Sequence, residues 1–474
     1  MNKVSYLPGH LPAPRCPGGV IDPPYEDLVE TAVAVARRPY SQGLHPAWDI
    51  QAGERVLLSV TSWHDEECTA ASAEAIERAG ASVEVKREEK GPAPLMSGED
   101  EVSYYLRRTR ELMRWMDEWE VLAREGRYDK VLQGYGGPIL GDSTMKIQRM
   151  PFITKEMMAS PAHRLPMELL SAIDAHTWAL VSAASELRIT DPEGTDISYE
   201  VTPQSYSPDR SLFSREMVSE WYPQNIEYSR KPLPGHIWGR PHFRMPQESG
   251  TGVICGTMNH IGPFPYVRLE MENSAIVSVE GGGGYGDNLR AVMEETRGLE
   301  YPGFEGRGLL KWWEASIGTN PKIHRPRLNY LTGFCNGLYE RVRSGVVHIG
   351  FGTVISSGME RKAHQIGLPV GHFHVHLYFP TMRARSAAGG EYDIITSGRL
   401  AALDDSAVRE CAARFGDPDE LLREDWIPAI PGLNLDGDYT EDYAGDPADW
   451  TLTELKICRQ WHPLFMKMIA AGRI

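Results

Sequence analysis

The segment LRITDPEGTDISYEV, residues 187–201, marks the point at which the pattern of the sequence changes. Residues 187–190 alternate between apolar and polar types, residues 191–196 supply Asp, Pro and Gly for a turn, and residues 197–201 alternate again. Two alternating runs joined by such a turn predict a β-hairpin. The residues before and after this hairpin have different patterns, so they predict two different regions of structure.

The residues before the hairpin predict an open α/β domain. An apolar run at 56–60, a helical stretch at 66–79 and an alternating run at 81–86 give the strand–helix–strand order of a parallel sheet. Three further elements are predicted, a strand and two helices: 128–132, 101–125 and 167–186. The helix at 101–125 carries many charges, which is typical of a surface helix. We therefore predict an N-terminal α/β domain at residues 1–185, which begins with a proline-rich arm.

The residues after the hairpin predict a β-rich domain. Five more runs have the length and alternation of strands, with glycine and proline frequent between them: 252–256, 266–271, 275–280, 346–350 and 373–379. Helices are predicted near residues 288–296 and 398–415. The expected fold class is therefore α/β, with a β-rich α+β domain at residues 186–474 that ends in a C-terminal tail.

The charge of the chain limits its partners. There are 49 Lys and Arg residues against 65 Asp and Glu residues, so the formal net charge is −16. Binding to nucleic acid or to anionic lipid needs a basic face, and we therefore expect neither as a partner. The N-terminus lacks the apolar stretch of a secretory signal, and the six cysteines are spread singly without a CxxC pair. These features predict a cytoplasmic protein with reduced thiols.

The segment GHFHVHLYF, residues 371–379, carries the strongest chemical signal in the sequence. His372, His374 and His376 alternate with apolar residues, so on a strand their side chains would share one face. Three imidazoles on one face are costly unless they are solvated or bound, and imidazole is a good ligand for Zn, Cu, Fe and Ni. The pattern predicts a metal site. The alternative is an exposed histidine face on an edge strand.

One strand cannot complete a metal site, and three candidate partners lie upstream. His348 follows two valines in a strand-like run, Glu314 precedes a turn-rich segment, and His260 lies in the loop-like segment NHIGP. Each could instead be an ordinary core or turn residue. The sequence pattern alone leaves that choice open.

The order of these motifs resembles the aminopeptidase T-type metallopeptidase superfamily. The resemblance spans residues 50–400 and rests on LRITDPEGTDISYEV, EASIGTNP, VVHIGFG and the histidine segment. This superfamily also includes a non-haem iron branch, the 2,5-dihydroxypyridine 5,6-dioxygenases, which cleave rings. The resemblance implies an α/β domain followed by a metal-binding domain.

The aminopeptidase branch holds two metals with two glutamates, a histidine and an H-x-D pair. By this resemblance Glu314 matches the second glutamate, His348 the single histidine, and His374 the histidine of H-x-D. His376 occupies the position of the aspartate. Thr251 stands where the first glutamate is expected, since Glu248 is displaced from that position.

These departures favour the iron branch, because two bridged divalent ions need more carboxylates than remain. The resemblance then implies a mononuclear non-haem Fe(II) dioxygenase that cleaves a hydroxylated aromatic or N-heterocyclic ring, with that substrate and O₂ as its partners. The implied ligands of Fe²⁺ are His348, His374 and His376, or Glu314 in place of one of them. Sequence does not decide between these sets.

Three other residues are expected to serve the reaction. His372 and His260 are candidates to move protons, and Arg268 is a candidate to hold a carboxylate or phenolate of the substrate. The main alternative is a dinuclear metallo-aminopeptidase in which Glu248 or Glu270 supplies the missing carboxylate. A structural metal site in a non-enzyme is a second alternative. The proline-rich arm and the long tail suggest subunit wrapping, and so a homo-oligomer.

Overall fold

The computed structural model describes most of the chain: residues 11–15, 22–38, 46–61, 64–88, 100–104, 106, 118, 121–134, 145–201, 236–240, 250–301, 306–325, 340–353 and 358–457. These residues form helices and both parallel and antiparallel sheets, so the predicted α/β class is confirmed. No described helix is both long enough and apolar enough to cross a membrane.

The first sheet is parallel and has four strands in the order β2-β1-β3-β4. Its strands are β1 Arg55–Thr61, β2 Ser82–Glu88, β3 Lys130–Gln133 and β4 Lys146–Arg149. Helix α2, Glu66–Arg78, connects β1 to β2. The strand–helix–strand prediction is therefore confirmed. Asp65 begins the helix, because its side chain accepts hydrogen bonds from the backbone N–H groups of Glu67 and Cys68.

The second sheet is antiparallel and has eight strands in the order β10-β9-β8-β6-β5-β14-β15-β16. The strands are β5 Ala184–Thr190, β6 Asp196–Glu200, β8 Thr251–Met258, β9 Pro263–Glu272, β10 Ala275–Gly281, β14 Thr381–Ser386, β15 Glu391–Thr396 and β16 Arg399–Leu400. The hairpin predicted around the DPEGTD turn is β5–β6, with Leu187 paired to Tyr199.

The third sheet, also antiparallel, has the order β13-β12-β11-β7. Its strands are β7 His236–Arg240, β11 Trp312–Gly318, β12 Val347–Gly352 and β13 His372–Leu377. The second and third sheets share one apolar core. Strand β8 lies so close to β13 that a Cβ on Gly256 would stand 2.6 Å from a methyl carbon of Val375. Glycine is therefore required where the two sheets meet.

The other elements whose bounds are described are helical. The helices are α1 Tyr25–Arg37, α3 Lys155–Met158, α4 Pro161–Arg164, α5 Met167–Ser182, α6 Gly283–Thr296, α7 Gly358–Gln365, α8 Ser406–Ala413, α9 Pro418–Leu421 and α10 Pro447–Ile457, with a 3₁₀ turn at Ala401–Asp404 and a π turn at Thr440–Ala444. Helices α1 and α2 pack on the parallel sheet.

One prediction about helices is wrong. The region 398–415 is not one helix: Gly398 has a φ of 81° and closes a hairpin, β16 comes after it, and α8 begins only at Ser406. Much of the helix predicted at 101–125 lies outside the described residues, and its described residues, 101–104, 106, 118 and 121–125, are helical. Glu101, in the first turn, is 1% exposed. A charged residue is rarely buried so completely without partners. This burial therefore indicates a specific role for Glu101.

A buried ionic network ties the C-terminal helix α10 to the end of β13. Arg325 donates from Nε to Glu340 at 2.5 Å, from Nη1 to Glu454 at 2.9 Å and from Nη2 to the hydroxyl of Tyr378 at 2.9 Å. The guanidinium also lies 4.8 Å from the centre of the Trp426 ring. All five side chains are buried.

We expect Arg325→Met to lower the free energy of unfolding by about 3–5 kcal/mol, because two buried carboxylates would lose their cation. Urea denaturation followed by circular dichroism measures this. The control is Arg383→Met, which removes an exposed ion pair with Asp393 and should cost under about 1 kcal/mol. Equal losses in the two variants would contradict the prediction.

Asp191 and Glu193 form a second buried acidic pair, in the turn of the β5–β6 hairpin. Glu193 accepts hydrogen bonds from Thr257 at 2.8 Å and from the Tyr439 hydroxyl at 2.7 Å. Asp191 accepts from the backbone N–H of Phe379 at 3.2 Å. Burial raises the pKa of Asp191 to about 7 and that of Glu193 to about 8.

The native state therefore binds protons that the unfolded chain has already released. Stability should be full below the ordinary carboxyl pKa and should fall by about 1.4 kcal/mol per pH unit for each proton that the native state retains, between about pH 5 and pH 8. Glu193→Gln should flatten this slope in urea titrations across that range. Glu186→Gln, on the exposed side of the same hairpin, should leave the slope as it is in the wild type. An unchanged slope in Glu193→Gln would refute the assignment.

Candidate metal centre

One face of the third sheet is polar, because the pairing of its strands places a glutamate and several histidines on the same side. His348 on β12 pairs with His376 on β13, and Gly350 pairs with His374. On the other side of β12, Glu314 of β11 pairs with Gly350. Residues directly opposite in an antiparallel pair point to the same face. The histidines and the glutamate therefore point the same way, as the alternation in the sequence predicts for β13.

The other face of β13 is apolar and lies in the core. Phe373, Val375 and Leu377 are all buried in the cluster shared by the second and third sheets. Although β13 is an edge strand in its sheet, its histidines are also buried: His374 and His376 are 0% exposed and His372 is 5% exposed. The alternative of an exposed histidine face is therefore wrong.

Glu314 lies at the centre of this polar face. Because a carboxylate has no proton to give, the imidazoles donate: His348 Nε2 to Oε1 at 2.9 Å and His372 Nε2 to Oε2 at 2.8 Å. Ser316 donates to Oε1 at 3.0 Å. His374 Nε2 lies 3.9 Å from Oε2. One buried carboxylate thus faces three imidazoles.

Glu101 holds His374 from the opposite side, and sequence reasoning missed it. Its Oε2 accepts from the backbone N–H of His374 at 2.8 Å, and its Oε1 lies 3.0 Å from His374 Nδ1. If Nδ1 carries the proton in this contact, Nε2 has a lone pair directed towards Glu314. Such carboxylate–histidine contacts fix the tautomer of metal-binding histidines. The signal that sequence offered was only a Glu at the start of a helical segment.

His260 lies against the same cluster. Its ring stacks on that of His374, with centroids 3.3 Å apart and planes 31° apart, and its centroid is 5.0 Å from that of His376. Glu101 accepts a hydrogen bond from the backbone N–H of His260 at 3.3 Å. Arg341, absent from the sequence-based candidates, donates from Nη1 to His260 Nε2 at 2.9 Å.

Among the described residues, two compact groups of donor atoms within this cluster could hold a metal ion. One contains Glu101, His260 and His374, and the other contains Glu314, His372 and His374. His374 belongs to both. His376 belongs to neither, but both of its ring nitrogens are buried without a hydrogen-bond partner among the described residues. Buried polar atoms usually have a hydrogen-bond partner, so His376 is a further candidate ligand.

Burial sets the protonation of the cluster. It lowers the pKa of His348 to about 4 and the pKa values of His260, His374 and His376 well below their ordinary value. Burial raises the pKa of Glu101 well above its ordinary value, while the N–H groups of His374 and His260 act in the opposite direction. At neutral pH the four imidazoles are therefore neutral, which is the form that binds metals.

Gly350 makes room for this arrangement. A Cβ at this position would stand 2.6 Å from Glu314 Oε2 and 2.9 Å from His372 Cε1. We expect Gly350→Ala to displace both side chains and to lower metal affinity about 10–100-fold, the size of effect seen when the support of a ligand is disturbed. Chelator competition measures the affinity. Gly298→Ala, where a Cβ meets nothing within 4 Å, is the matched control. Unchanged affinity in Gly350→Ala would contradict the geometry.

Arg268, another sequence-based candidate, lies on the second sheet and not in the histidine cluster. Arg268 alternates with the buried Val267 and Leu269, so it lies on the face of the second sheet that points away from β13. Its ion-pair partners among the described residues are Glu270 and Glu280. Glu248 lies outside the described residues.

Comparison with known proteins gives a distant structural likeness. No protein-family model matches the chain, and no curated protein matches it. The solved structure of 2,5-dihydroxypyridine dioxygenase from Pseudomonas putida KT2440 is similar, with a TM-score of 0.48 and 14% sequence identity. That match covers 80% of this chain and 99% of the other. A likeness this distant says nothing about activity, so function is inferred from the site.

Proposed function

We propose that the chain is a mononuclear non-haem Fe(II) dioxygenase that cleaves a hydroxylated aromatic or N-heterocyclic ring. The observation that carries the proposal is the group of Glu314, His372 and His374, in which one carboxylate faces two imidazoles in a buried site. Two histidines and one carboxylate with open positions are typical of non-haem iron oxygenases. Membership of the aminopeptidase T-type superfamily is part of this proposal.

The residues fit a divalent ion. Ligand atoms at about 2.1 Å from a metal stand about 3–4 Å apart, and the contacts of Glu314 Oε2 with His372 and His374 are 2.8 and 3.9 Å. The ion would replace the protons that now join imidazole to carboxylate. His376, with two buried nitrogens lacking partners among the described residues, is a further candidate ligand. His348 is another, through its contact with Glu314 Oε1.

The charge of the donor set favours one ion. Glu314 supplies the only carboxylate in its compact group, and the other two ligand atoms are imidazole nitrogens. A bridged pair of divalent ions in a hydrolase needs carboxylates to offset four positive charges. A single Fe²⁺ with Glu314 leaves one positive charge, which an ionised substrate can offset.

The chain's own residues would position this chemistry. Ser316 holds Glu314, and Glu101 holds the His374 ring through Nδ1. The buried walls exclude bulk water from the reacting groups. A ferrous ion, when bound, supplies the one-electron chemistry through which O₂ reacts with an electron-rich ring.

Oxygen uptake tests the proposal. Protein purified anaerobically and loaded with one equivalent of Fe²⁺ is offered dihydroxypyridines, aminophenols and hydroxylated aromatic acids. We expect O₂ consumption with at least one of them and both atoms of ¹⁸O₂ in the ring-opened product. Glu270→Gln, on the far face of the second sheet, is the control and should keep this activity. An absence of uptake with every ring would overturn the proposal.

A dinuclear metallo-aminopeptidase is the second candidate, and one observation favours it. The two compact groups share His374, so two ions could lie on either side of its ring. In that case leucyl peptides should be hydrolysed without O₂, faster after addition of zinc or cobalt. Metal analysis separates the candidates, since the oxygenase requires one ion per chain and the peptidase two.

A further inference from the structure

A cavity of about 300 Å³ lies where the N-terminal arm meets the C-terminal part of the chain. None of its described lining residues belongs to the histidine cluster. Small-molecule sites begin at about this size. Four arginines line this arginine cavity, in a chain whose net charge is −16: Arg15, Arg399, Arg409 and Arg423. The acidic residues among its described lining are Asp419 and Glu424.

Hydrogen bonds fix the N-terminal arm against the arginine cavity. Arg15 and Ile427 exchange backbone N–H···O bonds of 3.0 and 2.8 Å. The side-chain amide of Asn434 donates to the carbonyl of Pro12 at 3.0 Å. The arm therefore holds Arg15 at the edge of the cavity, although the side chain of Arg15 is exposed.

Glu424 brings two of the guanidinium groups together. Its backbone carbonyl accepts a hydrogen bond from Arg15 Nη1 at 2.7 Å, and its carboxylate accepts one from Arg399 Nη1 at 2.9 Å. The Glu424 side chain is buried, so these contacts are held rigidly. Arg399 also donates two hydrogen bonds to Asp404, which balances its charge.

Arg15 and Arg409 keep N–H donors for a ligand. A guanidinium has five N–H groups. Arg15 has no carboxylate within 4 Å among the described residues, and its hydrogen bond goes to a carbonyl. Arg409 binds Asp419 from Nη2 at 2.6 Å, and that carboxylate is 79% exposed. Exposed ion pairs are weak, so a ligand can compete with Asp419 for Arg409.

We propose that the arginine cavity binds a small organic anion through its phosphate or carboxylate group, which Arg15 and Arg409 hold. The paired N–H donors of a guanidinium match two oxygens of either group. Leu422 and Ile427 line the same cavity and offer apolar contact to the carbon part of the ligand. Because Arg15 lies on the arm and Arg409 on α8, one anion would join the arm to the rest of the chain. The site is independent of the function proposed for the histidine cluster.

Calorimetry with matched pairs of ligands tests this inference. The probes are glycerol 3-phosphate with glycerol, and succinate with succinamide, so that each anion has a neutral counterpart. Metal-free protein is used, in a phosphate-free buffer of low ionic strength, because salt screens exposed charges. We expect at least one anion to bind with a Kd below about 1 mM and its neutral counterpart to bind at least about tenfold more weakly. The preferred anion shows whether the site takes phosphate or carboxylate.

Arg15→Gln and Arg409→Gln should each weaken binding of that anion by about tenfold or more, because each removes a charged donor. The control is Arg188→Gln, which removes an exposed arginine paired with Asp196 on the β5–β6 hairpin and should bind as the wild type does. Thermal unfolding shows whether each variant is folded. Binding of neither anion, equal binding of an anion and its neutral counterpart, or wild-type affinity in either cavity variant would overturn the inference.

Discussion

His374→Ala is expected to lower metal affinity by at least about 100-fold, and this is the largest effect the site predicts. His374 belongs to both compact groups of donor atoms, so its loss disables either of them. Its Nε2 lies 3.9 Å from Glu314, and its Nδ1 contacts Glu101. Metal per chain after anaerobic purification, followed by competition with a chelator, measures the change.

The control for this variant is His176→Ala. His176 lies on helix α5, is partly exposed and stands 3.5 Å from Asp405. It belongs to neither compact group of donor atoms. Metal content should be unchanged in this protein. Full retention of metal by His374→Ala would show that the ion is held elsewhere.

Glu314→Gln is expected to remove metal-dependent stabilisation almost completely. The variant keeps the shape of the side chain but loses the carboxylate charge of its compact group. In the wild type, an ion at 100 times its dissociation constant should raise the free energy of unfolding by about 2.7 kcal/mol. The gain in Glu314→Gln should be near zero under the same conditions. Urea denaturation with and without Fe²⁺ gives both values.

The stability of metal-free Glu314→Gln shows whether Glu314 is mainly structural. Replacing a buried carboxylate by an amide removes a charge that is costly to bury, so the metal-free protein should lose no more than about 1 kcal/mol. A larger loss would mean that Glu314 is mainly structural. An undiminished response to Fe²⁺ would mean that Glu314 is not a ligand.

The parts of the fold that sequence predicted are local. The strand–helix–strand unit at β1, α2 and β2 and the β5–β6 hairpin involve neighbouring elements, and their patterns are complete within a short stretch. The order of the antiparallel sheet is not local: β5 also pairs with β14, so Thr190 meets Thr381. No turn signal connects residues so far apart, and pairings of this kind have no pattern in a single sequence. The domain boundary at residues 185 and 186 stays a prediction.

The site residues that sequence predicted also belong to a local pattern, and those that it missed do not. His372, His374 and His376 were found because a period of two on one strand is visible in the sequence. Glu101 was missed because it lies 273 residues from His374 and begins a segment with a surface pattern. Arg341 was missed because an arginine in a turn resembles any solvated arginine. Which histidines bind metal also stays a prediction, since the compact group contains His372, to which a proton-transfer role was assigned.

The most direct test of the central claim is anomalous diffraction at the iron edge from crystals of protein loaded anaerobically with Fe²⁺. The account predicts one peak per chain, within bonding distance of Glu314 and His374. Two peaks on either side of His374 would favour the dinuclear hydrolase. A peak without contact to Glu314, or no peak in protein that had taken up iron, would contradict the account.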